Sequence, residues 1–340
     1  MQQFKGRSLL GINELTPDEV QFVLDVAHDL KRQQKQGQRH ELLRGKSLAG
    51  IFHTQSTRTS CSFETAMTHM GGHMMWLDNH RIWAGEAKAE NWHDTIKTLT
   101  RYVDGIAFRP VTRELLEQTQ ELATVPVINA SCPVEHPTQA FADIMTMREY
   151  GGGSVKGAKV AMLWGYGELN PPCGLPNSTL MMAAKLGFDL TIACPPGLAN
   201  SASGMELAPD PRYIQWAQDE AKLTGAKINI VHSYEEATKD ADFINVYSWV
   251  SPQIFAEGPD TGYRGNPEFA AYKATLKDDW CVSQKVVDTA PKHVKVMHCL
   301  PVARNEEATD EVLDGPNSII FDEAENRLHT IKALLALLLQ

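Results

Sequence analysis

The chain has 340 residues, 43% apolar and 22% charged, a composition that builds packed domains rather than disorder, and at roughly 150 residues per domain it holds two. Its 32 basic and 42 acidic residues give a net charge of −10 with no basic block, which excludes the uniform phosphate affinity of a nucleic-acid binder. No apolar run approaches the roughly 20 residues of a bilayer span, no signal-peptide core follows Met1, and six cysteines without a CxxC pair exclude a disulfide scaffold, so the expectation is a cytoplasmic chain.

Thr16-Pro17-Asp18-Glu19 opens a helix by cap, first-position proline and capping-box acid, and Val20, Val23, Leu24, Ala27 and Leu30 recur at helical spacing behind it. Short apolar strands are then predicted at 47–52, 73–77, 105–108 and 125–129, with helices at 91–103 and 137–150. Gly151-Gly152-Gly153 ends this relay and marks the domain boundary. A second relay follows, with strands at 159–164, 189–194, 228–232, 241–246, 294–299 and 318–322 and a closing helix at 324–339. Strand and helix alternation predicts an α/β chain of two doubly wound parallel-sheet domains, 1–150 and 151–323. Such sheets bind ligands beyond the carboxyl ends of their strands, and the candidate chemistry lies there.

The segment His53-Thr54-Gln55-Ser56-Thr57-Arg58-Thr59-Ser60 joins a strand to a helix, so hydroxyls, backbone N–H groups, the helix dipole and Arg58 converge on an anion. A Ser/Thr-rich helix cap with a surface arginine has the same pattern. Glu135-His136-Pro137-Thr138-Gln139 sets a histidine and an amide at another helix start, where they suit a carbonyl oxygen and an N–H or serve as a cap. Arg109 ends the third strand, His298-Cys299-Leu300-Pro301 ends a later one, and Glu325-Asn326-Arg327 brings an arginine to the first turn of the closing helix, its unfavourable end. Gly165-Tyr166-Gly167 begins like a dinucleotide fingerprint, but Asn170 takes the third glycine position, and NAD is rejected. There is no ATP phosphate loop, and glycines interrupt His69 and His73, so neither a cofactor nor a metal is expected.

Together, Ser56-Thr57-Arg58-Thr59, His136-Pro137-Thr138-Gln139, His298-Cys299-Leu300-Pro301 and Glu325-Asn326-Arg327 resemble, in order and spacing, the aspartate/ornithine carbamoyltransferase family over nearly the whole chain. The resemblance implies an N-terminal carbamoyl-phosphate domain onto which a closing helix, 324–340, packs back. It also implies a C-terminal acceptor domain and homotrimers with active sites between subunits. By the same resemblance Ser56, Thr57, Arg58 and Thr59 hold phosphate, and Arg109, His136 and Thr59 polarise the carbamoyl oxygen. Gln139, Arg327 and the Leu300 carbonyl hold the carbamoyl NH2, Cys299 lies beside the acceptor, and Trp83 resembles a tryptophan that reaches a neighbouring subunit's phosphate. The Ser-Met-Gly acceptor loop of ornithine enzymes is absent, Tyr247-Ser248-Trp249 standing in its place. Asn170-Pro171-Pro172-Cys173-Gly174-Leu175-Pro176-Asn177-Ser178 instead resembles the proline-rich loop of a trefoil-knotted branch acting on N-acetyl- or N-succinylornithine. That comparison points Asn177, Tyr247, Trp249 and Arg304 at the acceptor, although the branch's lysine and arginine are replaced by Tyr247 and Ala303. Ornithine or an ornithine-like amine is therefore the expected acceptor, N-acylornithines and diamines the alternatives. A non-catalytic carbamoyl-phosphate-binding regulator is the rival class. A Gly-, Pro- and Asp-rich stretch, 255–272, is expected as a loop over the acceptor pocket or a solvated one.

Overall fold

A computed structural model describes residues 3–78, 80–83, 90–167, 171–197, 207–250 and 267–340. The chain divides into two compact units, Met1–Met145 with Ala324–Gln340, and Thr146–Glu323. The division falls inside the helix Pro137–Tyr150 rather than at the three glycines that follow it.

In the first unit, helix α1 (Pro17–Lys35) has the capping box expected of Thr16 and Glu19, and its apolar stripe is buried. Strands β1 (Ser47–Phe52), β2 (His73–Asp78), β3 (Gly105–Arg109) and β4 (Val127–Asn129) form a parallel sheet in the order β2-β1-β3-β4. Helices α2 (Thr57–His69), α3 (Trp92–Leu99), α4 (Arg113–Leu122) and α5 (Pro137–Tyr150) alternate with them. β1 and β3 are almost wholly buried apolar runs, as parallel strands covered on both faces require. The chain leaves β1 toward β2 and returns on its other side as β3, so the switch point of the sheet lies between β1 and β3. In register, Phe52 pairs with Arg109 and Phe108 with Asn129, which brings the carboxyl ends of three strands level.

In the second unit β5 (Lys159–Trp164), β6 (Asp189–Ala193), β7 (Ile228–Val231), β8 (Phe243–Tyr247) and β9 (Lys295–Met297) form a parallel sheet ordered β7-β6-β5-β8-β9, with its switch point between β5 and β8. Helices α6 (Gly174–Leu186), α7 (Pro211–Thr224), α8 (Tyr234–Thr238), α9 (Pro267–Ala274), α10 (Gln284–Val287) and α11 (Asp310–Leu313) accompany it. Every residue of α6 is buried, the polar Asn177, Ser178, Thr179 and Lys185 among them.

Three expectations change. The strand at 318–322 is a single bridge, Ser318 to Val296, followed by the closing helix α12 (Ile320–Leu339), because Asp322 and Glu323 favour a helix N-terminus over a ladder. Arg327 accordingly stands beyond the first turn of α12. The stretch 255–272 ends in α9 rather than in loop, and its 255–266 portion, with Glu257 and Asp260, lies outside the described residues. The knot depends on the path of 168–170 and 251–266, also outside them. Among the described helices none is long and apolar enough to cross a membrane.

Candidate active site

Three chain segments meet at the carboxyl end of the first sheet. After β1 the chain turns at His53, whose N–H donates to the Arg109 carbonyl at 3.0 Å, and Arg109 Nε donates to Thr54 Oγ1 at 2.7 Å. α2 then starts at Thr57. Thr16, Asn91 and Thr112 cap their helices with side chains, but Ser56 makes no such bond, which weighs against the simple cap. Ser60 turns inward and donates to the Ser56 carbonyl and to the Thr57 carbonyl.

The segment carrying His136 is fixed from below. Asn129, fully buried at the end of β4, donates to the carbonyls of Leu10 and Glu135 at 2.8 and 3.2 Å, and its oxygen accepts from Ser131 N. Glu135 Oε2 accepts from Ile12 N at 2.8 Å, and a Cβ at Gly11 would stand 2.2 Å from Glu135 Oε1, so a side chain there would push the carboxylate from its place.

Arg327 ties the segments together. It is 3% exposed, its Nη1 donates to Gln139 Oε1, and its Nη2 donates to Thr59 Oγ1 at 2.9 Å and to Thr138 Oγ1 at 3.5 Å. Gln139 Nε2 in turn donates to Asp143 Oδ1 at 2.7 Å. Burial pushes the pKa of His136 well below the usual histidine value, and the charges of Arg327, Arg109 and Arg58 push it further. His136 is thus a neutral imidazole facing three guanidiniums. Thr138 Oγ1 accepts from Arg327 Nη2 and lies 3.3 Å from His136 Nδ1, within hydrogen-bond reach. Three permanent cations, a neutral N–H donor and a helix N-terminus make a centre for an anion bearing a carbonyl oxygen.

In the second unit His298 is wholly buried, and its bonds assign a tautomer. Leu300 N donates to Nδ1 at 2.9 Å, so the hydrogen resides on Nε2 and goes to Glu307 Oε2 at 2.9 Å. Glu323 Oε2 accepts from His298 N at 2.8 Å, and Ala303 N donates to Glu307 Oε1 at 2.9 Å. This network holds Leu300 at φ 56, a left-handed conformation that leucine adopts only where its surroundings impose it. It also explains the fingerprint-like glycines: a Cβ on Gly165 would meet Glu307 Cα at 2.9 Å, and one on Gly167 would meet its Cγ at 3.1 Å. The glycines make room for Glu307.

Around β8, Trp164 Nε1 donates to the Trp249 carbonyl at 2.8 Å, and Trp249 Nε1 donates to the Leu207 carbonyl at 2.7 Å, leaving Trp249 only its ring for contacts. Tyr247 stacks on it with centroids 6.3 Å apart. The Ser248 hydroxyl is buried with no partner among the described residues. Asn177 stands buried in the first turn of α6 rather than in a loop, and its Oδ1 accepts from Asp210 N at 3.4 Å. Cys299 is half-buried next to Leu300. Arg304 has other partners than expected: Asp310 at 2.6 Å and Asp314 at 2.7 Å take its guanidinium. Trp83 is 77% exposed, beside residues 84–89 that lie outside those described.

Asp143 and Glu307 were not singled out in the sequence, and Thr138 stood there only as a member of the His136 motif. Asp143 had a signal, lying one helical turn after Gln139. Glu307 had none, since a nine-residue loop span from His298 carries no periodicity.

Two family models match the chain: the carbamoyl-P binding domain of aspartate/ornithine carbamoyltransferases over residues 7–149, and their Asp/Orn binding domain over residues 157–338. A protein named ornithine carbamoyltransferase from Pyrococcus horikoshii is 39% identical over 335 residues, 98% of this chain and 96% of that one. The solved structure of ornithine carbamoyltransferase from Pyrococcus furiosus superposes with a TM-score of 0.85 at 37% identity, covering 99% of this chain and 98% of that one. A crystal structure of acetylornithine transcarbamylase complexed with acetylcitrulline superposes at 0.83 with 27% identity, covering 99% of each.

Proposed function

The chain belongs to the aspartate/ornithine carbamoyltransferase family, and from that premise we infer that it moves the carbamoyl group of carbamoyl phosphate to the δ-amine of ornithine and releases phosphate. The observation that carries this reading is the neutral His136 surrounded by Arg58, Arg109 and Arg327. The attacking amine nitrogen bonds to the carbamoyl carbon, the carbon's bond to the phosphate oxygen breaks, and the amine proton leaves on phosphate. Charge grows first on the carbamoyl oxygen and then on the departing phosphate. Donors already in place at both positions stabilise that charge without reorganising, and one such donor is worth about 3 kcal/mol.

In this reading Ser56, Thr57, Arg58 and Thr59 hold phosphate, while Arg109, His136 and Thr59 polarise the carbamoyl oxygen. His136 acts as a neutral donor, and its depressed pKa supports that role. Gln139 Oε1, held by Arg327, accepts from the carbamoyl NH2, and the Leu300 carbonyl does the same. Asn177, Tyr247, Trp249 and Cys299 serve the acceptor, Tyr247 and Trp249 through their rings. The exposed Trp83 supports a homotrimer in which it reaches a neighbouring subunit. Ornithine is favoured over an N-acylated acceptor by the higher identity to ornithine enzymes, 37–39% against 27%.

Steady-state formation of ureido product from carbamoyl phosphate tests this against ornithine, N-acetylornithine, N-succinylornithine, lysine, putrescine and 2,3-diaminopropionate. Ornithine should dominate the panel. Dominance of another amine would reassign the acceptor while leaving the carbamoyl donor in place.

A further inference from the structure

Two buried side chains close the turn that follows β9, and the reaction described so far gives neither a task. His298 is 0% exposed and Glu307 3%, whereas Cys299 and Leu300 are half-buried and Pro301 is exposed. Leu300 N donates to His298 Nδ1, His298 Nε2 donates to Glu307 Oε2, and Ala303 N donates to Glu307 Oε1, each at 2.9 Å. The ring and the carboxylate thus bridge Leu300 N to Ala303 N and span the turn between them. Space for the bridge is built in, since a Cβ on Gly165 or Gly167 would press on Glu307 at 2.9 or 3.1 Å.

The donors and acceptors along the bridge allow one arrangement. A backbone N–H can only donate, and one stands at each end. His298 must therefore present a lone pair at Nδ1, a neutral ring then carries its hydrogen at Nε2, and Glu307 must accept on both oxygens. A glutamine at 307 would have the same shape but one acceptor. Whichever way its amide stood, and whichever ring nitrogen carried the hydrogen, two N–H groups would meet face to face at Ala303, between the two side chains, or at Leu300. Leu300 is the residue most exposed to such a fault. Its φ of 56 is a conformation that leucine leaves when its surroundings do not impose it. With the bond at its N–H lost, the residue turns back to negative φ and its carbonyl turns with it.

We propose that His298 and Glu307 are positioning residues for the Leu300 carbonyl: the bridge holds Leu300 left-handed and so keeps that carbonyl in the direction the carbamoyl NH2 needs. The inference rests on the carbamoyl-transfer reading and deepens it. A carbamoyl group whose NH2 is held keeps its plane fixed while the amine attacks, so the bridge acts on the rate.

Three variants separate this role from packing. Glu307→Gln keeps the shape and breaks the bridge. His298→Asn loses volume but keeps an oxygen where Nδ1 stands, whereas His298→Leu fills more of the volume and offers Leu300 N no acceptor. Titration calorimetry with inorganic phosphate counts folded sites, and urea unfolding reads stability. Steady-state formation of ureido product from carbamoyl phosphate and ornithine then gives kcat per folded site. Phosphate has no NH2 and should bind every variant within about twofold of the parent's affinity. For Glu307→Gln kcat should fall about tenfold, the worth of one hydrogen bond. His298→Asn should be faster than His298→Leu, the reverse of the order a packing role gives. Adding His298→Asn to Glu307→Gln removes the ring N–H that faces the new amide. The pair should therefore be no slower than Glu307→Gln alone, where independent packing losses would multiply. A Glu307→Gln variant with the parent's kcat per site and only a lower urea midpoint would overturn the proposal. So would His298→Leu as fast as His298→Asn, or multiplied losses in the pair. A parent chain that binds phosphate but forms no ureido product would refute the carbamoyl reading and this inference with it. A parent that forms it, with variants just as fast, refutes the positioning role alone.

Discussion

Arg327→Met removes the guanidinium that joins Gln139, Thr59 and Thr138 while filling much of its volume. Two effects follow, of different size. In the resting protein the acceptor oxygens of Gln139 and Thr59 lose a charged donor in a buried place, which costs about 1–3 kcal/mol, and relief of repulsion among three guanidiniums offsets part of that loss. In the transition state a preorganised donor is lost where charge develops, about 3–4 kcal/mol or a 10²–10³-fold fall in turnover. The rate should therefore suffer more than the stability. A third effect is specific to the geometry. Arg327 stands first among the charges that hold the His136 pKa down, so its removal must raise that pKa. His136 binds its proton less readily folded than unfolded, and stability present above about pH 6.5 is lost as pH falls toward the folded pKa; the variant should lose less of it. Histidine NMR titration of the ligand-free protein, beside urea unfolding and steady-state rates, reads all three. A His136 that titrates at the ordinary value in the parent, or does not move in Arg327→Met, would refute the idea that these groups form one electrostatic cluster.

Lys332 on α12 is wholly buried, donates to Gln34 Oε1 at 2.9 Å and meets His40 Nε2 at 2.7 Å, and burial lowers its pKa to about 8. The unfolded lysine holds its proton up to about 10.5, so stability should rise between about pH 8 and 10.5 by about 3 kcal/mol. Urea unfolding of Lys332→Met should lack that slope; a slope equal to the parent's would contradict the assignment. Arg304→Ala breaks ion pairs to Asp310 and Asp314 at the surface, and the acceptor KM should stay within about twofold of the parent's. A tenfold rise in that KM would return Arg304 to the acceptor site.

The sheet was legible because parallel strands are continuous apolar runs: β1 and β5 have the bounds that their sequences predict. The helix at 137–150 was equally clear, with Pro137 fixing its start and Gly151 following its end. Strand ends were less clear where a polar residue continues the ladder, as Arg109 does in β3. The 318–322 stretch misled because Ile319, Ile320 and Phe321 form an apolar run too short for periodicity to separate strand from helix. Among the candidate site residues, motifs pointed to Arg58, Arg109, His136, Gln139 and Arg327; the first four lie where a strand ends or a helix begins, while Arg327 stands two turns into α12. What the motifs did not carry is the layer behind them. Asp143 and Glu307 hold their partners through contacts set by helix phase and loop path. Nor did the sequence announce that Asp310 and Asp314 pair with Arg304, since the carboxylates lie six and ten residues on, at the start and just past the end of the short helix α11.

In the proposed function, cations preorganised around carbamoyl phosphate drive carbamoyl transfer. The most direct test is the stoichiometry of phosphate and ureido product formed from carbamoyl phosphate and ornithine, measured for the parent chain and for Arg58→Ala. One phosphate per citrulline is expected in the parent and a rate about 10²–10³-fold lower in the variant, since a positioned charge on the leaving phosphate is gone. Phosphate release without ureido product, or an Arg58→Ala variant as fast as the parent, would contradict it.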